Sequence, residues 1–89
     1  MTQEFVFVFN GNKGHFPSGV FTTKEKAEAW ISKYKLEGTL TQYPVDISAY
    51  DWSVDNDFFM PKKVHHRSPD FMANFSPGRY RWHYVNEDD

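Results

Sequence analysis

Five consecutive apolar residues, Phe5-Val6-Phe7-Val8-Phe9, stop at Asn10-Gly11-Asn12. A short apolar run bounded by turn formers predicts a strand buried on both faces, at the centre of a sheet. Asn and Gly tolerate positive φ, so 10–14 reads as a turn. Gly19-Val20-Phe21 is expected as a short hairpin partner. Ala27, Trp30, Ile31 and Tyr34 then recur at i, i+3, i+4 and i+7, the spacing of one helix face. Thr22 with Glu25 fits a capping box, Lys33 and Lys35 suit the negative end of the helix dipole, and Gly38 reads as the stop. The pattern predicts a helix over 23–35 that packs Trp30 on the sheet and leaves Lys24, Glu28 and Lys35 off that face.

Thr39-Leu40-Thr41-Gln42-Tyr43 alternates and is halted by Pro44, as a strand would be. Residues 48–57 fit two patterns. Tyr50, Trp52 and Val54 alternate with Asp51, Ser53 and Asp55, whereas Ser48 with Asp51 three residues on can cap a helix. Phe58-Phe59-Met60-Pro61 closes that element. Ser68-Pro69-Asp70 is a compact helix start, followed by Phe71, Met72 and Phe75 and ended by Ser76-Pro77-Gly78. Over 79–85, Tyr80, Trp82 and Tyr84 fall on one face of a strand and Arg79, Arg81 and His83 on the other. Residues 86–89 form a short acidic tail. The elements add up to an α+β fold in one domain, 1–89. It has a small, mainly antiparallel sheet of three to four strands, one main helix on one face, and one or two short helices.

Composition explains how so short a chain makes a core. Seventeen of the 89 residues are aromatic, and Leu, Ile, Val and Phe total 20. Large rings bury the most area per residue, roughly 150–250 Å² each, so the aromatic excess reads first as core. Cysteine is absent, which excludes disulfides, thiolate catalysis and cysteine-ligated zinc. The net charge of −2 argues against a general polyanion binder. The longest apolar run is far short of a membrane span, and the N-terminus lacks a basic region and a small-residue cleavage site. A cytoplasmic protein with no membrane partner is expected.

Several segments taken together resemble a known family. They are Gly19-Val20-Phe21, Ala27, Trp30-Ile31, Leu36-Glu37-Gly38-Thr39-Leu40-Thr41, Tyr43-Pro44-Val45-Asp46, Tyr50-Asp51-Trp52, Pro61-Lys62-Lys63, Ser68-Pro69-Asp70-Phe71 and His83-Tyr84. As a set they are similar to a small bacterial domain of unknown function. The resemblance spans nearly the whole chain and implies a stand-alone domain in which 50–56 is helical. It implies no activity.

The motifs that carry chemistry are thin. His15, His65, His66 and His83, even with Asp70, show no metal-ligand spacing. No serine sits in a nucleophile elbow, and Asn10-Gly11-Asn12-Lys13-Gly14 lacks the P-loop spacing and ending. Asp51 and Asp55 could share a helix face, but nothing near them implies a substrate. No catalytic residue, metal or cofactor is therefore expected, and the chain does not read as an enzyme. Charge is more informative. Five acids and no Lys or Arg lie between Glu37 and Asp57, while five basic residues and one acid lie between Lys62 and His83. The two segments either neutralise each other or form a protein-binding surface that steers a partner. The interaction residues expected on the second reading are Lys62, Lys63, Arg67, Arg79, Arg81 and His83 on one side and Asp46, Asp51, Asp55 and Asp57 on the other. The expected function is a small interaction module of neutralising or immunity type. A single-stranded nucleic-acid binder using the basic 62–83 region is the alternative, with an enzyme or metal protein a more distant one.

Overall fold

In the computed structural model, which describes residues 3–76 and 80–85, the apolar run becomes strand β1, Phe5–Gly11, hairpinned to β2, Gly19–Phe21. Helix α1, Lys24–Tyr34, leads into β3, Gly38–Pro44. Helix α2, Ala49–Asp55, a single 3₁₀ turn, Val64–Arg67, and helix α3, Pro69–Ala73, precede β4, Arg81–Tyr84. The strands form one antiparallel sheet in the order β2-β1-β3-β4, so the fold is α+β as expected. Among the described residues no helix is long and apolar enough to cross a membrane.

Register divides the side chains between two faces. Phe9 pairs with Leu40, and Leu40 pairs with Trp82. Alternation puts Phe5, Phe7 and Phe21 on that same side. α1 lies across it, and Phe9, Ala27, Ile31 and Leu40 form the buried centre, ringed by Phe7, Phe21, Trp30, Leu36, Trp82 and Tyr84. Trp30 meets Phe9 edge-on at 5.7 Å and Phe21 at 5.6 Å. β1 is central, but it is not buried on both faces. Val6, Val8 and Val20 project away from α1, and Val20 is 62% exposed. One helix covers one side of the sheet, and only Phe9 of the run is fully buried.

The helix limits differ from the sequence reading for local reasons. The α1 cap is Thr23, not Thr22: its hydroxyl accepts from the Lys26 backbone N–H at 3.1 Å. The helix stops at Lys35, whose φ of 54° is left-handed and whose N–H turns back to the Ile31 and Ser32 carbonyls, so Gly38 is not the stop. Gly38 instead lets two strands approach. A methyl there would overlap the Asn10 carbonyl oxygen and come within 2.7 Å of the Phe9 ring. Tyr34, a full two turns after Ala27, has passed the sheet and is exposed, with the Lys33 ammonium 5.2 Å over its ring. The 48–57 ambiguity resolves as helix because the Ser48 hydroxyl accepts from Asp51 N–H at 2.9 Å. Ser68 caps α3 in the same way. α3 ends earlier than expected, at Asn74, whose backbone N–H and side-chain amide both reach the Asp70 carbonyl. Pro77 and Gly78 lie outside the described residues. The last strand is shorter than 79–85. Tyr80 adopts a φ of 55°, outside the strand range, and its ring packs on Trp52 and Phe58.

Two substitutions test this core. Trp30→Ala should lower the unfolding free energy by about 3 kcal/mol, the low end for a large ring because Trp30 keeps an exposed edge. Gly38→Ala should cost a comparable amount through backbone overlap rather than lost burial. Urea denaturation followed by circular dichroism measures both. An unchanged midpoint for Gly38→Ala would mean that β1 and β3 are not in this register.

Candidate functional site

The closing strand shows how the fold sorts the candidate residues. Trp82 and Tyr84 face α1. The Lys24 ammonium lies 4.5 Å from the Trp82 ring centroid, and the Tyr84 hydroxyl donates to Glu28 Oε2 at 2.7 Å. Lys24 and Glu28 also pair with each other at 3.5 Å. The Tyr84 hydrogen bond, aided by Lys24, holds the Glu28 carboxyl below the usual range against a smaller desolvation effect. Burial, with the adjacent carboxylate, pushes the Tyr84 phenol up. The sequence reading set Lys24 and Glu28 off the packing face and so missed this α1–β4 contact. Their i,i+4 spacing was a signal, but the partner on β4 is 56 residues away.

Arg81 and His83 point to the opposite face of the sheet. Residues paired across the strands place Val20, Val8, Thr41 and Arg81 in one row and Asn10, Thr39 and His83 in the next. His83 Nδ1 is hydrogen-bonded with the Thr39 hydroxyl at 3.0 Å, and the Arg81 guanidinium donates to Ser76 Oγ. Lys62 and Lys63 lead into the 3₁₀ turn and Arg67 ends it. On the acidic side, Asp51 and Asp55 are one turn apart on the exposed side of α2. Asp46 and Asp57 bracket that helix with left-handed φ values of 67° and 60°. Aspartate tolerates such a turn better than most residues, so these two have a backbone role as well as a charge.

The nine candidates within the described residues are all exposed; the tenth, Arg79, lies outside them. None of Lys62, Lys63, Arg67 and Arg81 places its charged nitrogens within 4.0 Å of a carboxylate oxygen of Asp46, Asp51, Asp55 or Asp57. Direct pairing among these described candidates is therefore not how the fold uses them. Rings that could stack on bases beside Arg81 and His83 are turned the other way: Trp82 and Tyr84 are committed to the α1 face.

The histidines are similarly occupied. His66 sits among Phe59, Phe71 and His65, and its Nδ1 accepts from the Lys62 and Lys63 backbone N–H groups at 3.3 and 3.4 Å. His83 is 44 residues from its hydroxyl partner on β3, and His15 is exposed before β2. Among the described residues no three His, Cys, Asp or Glu side chains converge in a way that could hold a metal ion.

The molecule is thus an α+β domain with one helix-covered sheet face and exposed, unpaired charges of both signs. Residues 6–89 match the model of a family described as a domain of unknown function, DUF7710, and the chain belongs to that family. No match was found among curated proteins or among solved structures.

Tyr84→Phe isolates the α1–β4 contact. The variant should lose about 0.5–1 kcal/mol at neutral pH, the low end for a charge-assisted hydrogen bond because Glu28 keeps much of its contact with water. The sign follows from Glu28. A carboxyl whose folded pKa is lowered contributes stability that is full above its unfolded value, about 4.3, and is lost as pH falls through the folded value. Thermal melts from neutral pH down to about pH 3 should therefore converge for wild type and Tyr84→Phe at the acid end. Parallel curves would assign the stabilisation elsewhere.

Proposed function

We propose that this domain is a small protein-interaction module that acts by occupying a partner, in the manner of a bacterial neutralising or immunity protein, rather than by catalysis. One observation carries the reading: every described member of the two charge sets is exposed, and none is paired with the other set. Internal pairing would have given these charges a structural use. Left free, they project a field that raises the encounter rate with a surface of complementary sign and disfavours the wrong orientation. The Arg81 side, with Val8 and the exposed Val20 in its row, offers apolar contact next to cation. Arginine beside apolar surface is common where interfaces bind most strongly.

The test uses proteins encoded beside this one as candidate partners. Gel filtration at low salt finds a complex, and stopped-flow mixing measures its formation. Arg79→Glu with Arg81→Glu should leave the melting temperature nearly unchanged, because Arg81 is exposed and surface charges rarely carry stability. The same double variant should slow association about tenfold or more at low salt, with the difference shrinking at high salt. A folded variant that associates at the wild-type rate would sink the reading. So would binding that follows single-stranded RNA or DNA and is lost with salt, which is the signature of phosphate contacts.

A further inference from the structure

We propose that residues 60–76 form an acid-labile lobe, seated on Tyr50 and Phe59, whose docked form is held together by a latch, the neutral imidazole of His66. The lobe comprises the 3₁₀ turn, α3 and their flanks. Its loop and cap backbone hydrogen bonds among the described residues are internal: His66 to Lys63, Ser68 to His65, Met72 to Ser68, Asn74 to Asp70 and Phe75 to Met72. Its seat is aromatic. Phe59 is fixed to α2 by its N–H to the Ser53 carbonyl at 3.2 Å. Tyr50, on α2, is 5.9 Å from Phe59. Into this pair the lobe inserts Phe71, stacked on Phe59 at 5.6 Å, and Phe75, at 5.2 Å from Phe59 and 5.5 Å from Tyr50.

His66 joins seat and insert. Its ring lies 5.2 Å from Phe59 and 4.9 Å from Phe71. Its Nδ1 accepts from the Lys62 and Lys63 backbone N–H groups, which places the neutral ring's proton on Nε2. A proton added at Nδ1 converts that acceptor into a donor aimed at two other donors. It also adds a cation beside the Lys63 and Arg67 cations and next to the His65 ring, 4.4 Å away. Among the described residues no carboxylate forms an ion pair with His66. α3 meets the ring through Phe71, and its Asp70 forms no ion pair with His66; the segment after α2 meets it through Phe59, which Tyr50 of α2 contacts in turn. Burial first, then His65, Lys63 and Arg67, hold the His66 pKa below the ordinary value. The sign is fixed by that direction. The released lobe takes up the proton more readily than the docked one, so the latch is at full strength above about pH 6.5 and weakens as pH falls below it. Release would also move Lys62, Lys63 and Arg67, so this inference goes beyond the interaction reading without depending on it.

Amide hydrogen exchange on the full chain at about pH 7.5 and about pH 5, corrected for intrinsic exchange, tests the latch. The amides of His66, Ser68, Met72, Asn74 and Phe75 should lose at least about threefold in protection at the lower pH, relative to those of β1 and β3. In His66→Gln the side-chain oxygen can accept from the same N–H groups and does not titrate, so the loss should disappear. Equal loss in both proteins, no loss, or increased protection on acidification would overturn the proposal. If His66→Gln leaves the lobe unprotected at both pH values, an NMR titration of the unmutated protein decides. A His66 pKa below about 6.5, tracked by the Phe71 ring signals, supports the latch, and a value at or above it refutes it.

Discussion

Burial of Phe9 and Leu40 beneath α1 is the constraint on which the rest of this molecule depends. The two residues face each other across β1 and β3, the central strands, and are respectively 2% and 0% exposed. Their contact requires the strands to close at Gly38, where any side chain would meet Asn10 and Phe9. It also requires α1 to lie on one side only, with Ala27 and Ile31 pressed against the pair. Once that layer forms, Phe21, Trp30 and Trp82 close its edges. The other sheet face follows as a consequence: a chain of this length supplies one helix long enough to cover a four-stranded sheet, and it is spent on the phenylalanine side.

Stability is distributed unevenly as a result. The sheet and α1 share a layer of buried aliphatic and aromatic groups. α2 is bound to that layer through Trp52, which meets Phe5 edge-on at 5.7 Å and Phe58 at 5.2 Å. Between α2 and β4 the chain relies on ring-to-ring contacts centred on Tyr50 and Phe59 and on the hydrogen bond from Arg81 to Ser76. Such ring contacts are each worth about 0.5–1.5 kcal/mol beyond area burial. Segments held by few elements open at lower free energy than the core, and it is in this outer part that His65, His66, Lys62, Lys63 and Arg67 reside. The aromatic excess thus builds two separate things, a core under α1 and a docking seat on α2.

The charges obey a different logic. Lys24 and Glu28, paired with each other and with groups on β4, help hold the fold. The candidate interaction residues among those described form no ion pairs with each other, although the chain carries both signs in nearby segments. Direct pairs at a surface stabilise by about 0–1 kcal/mol, so leaving them apart costs the fold little and preserves the field that a partner would meet.

Much of the fold was legible in the chain because short-range physics decides it. The run of Phe5 to Phe9, the helical spacing of Ala27, Trp30 and Ile31, the Ser48 and Ser68 caps, and the alternation of Trp82 and Tyr84 against Arg81 and His83 are all local patterns, and each element formed. The candidate charges were legible too, as a sequence imbalance. What the pattern could not carry was distance. Whether both faces of β1 are covered depends on how many helices reach the sheet. Tyr34 is exposed because the helix outruns the sheet, and Tyr80 leaves the strand because Trp52 and Phe58 offer its ring a seat. Glu28 found Tyr84, and His66 found Phe59 and Phe71, through contacts that exist only after β4, α2 and α3 have docked. Periodicity specifies which side of an element is apolar. Which partner that side meets, and whether a neighbouring charge is satisfied or left in water, is settled by tertiary packing, because those energies depend on separations that sequence spacing does not contain.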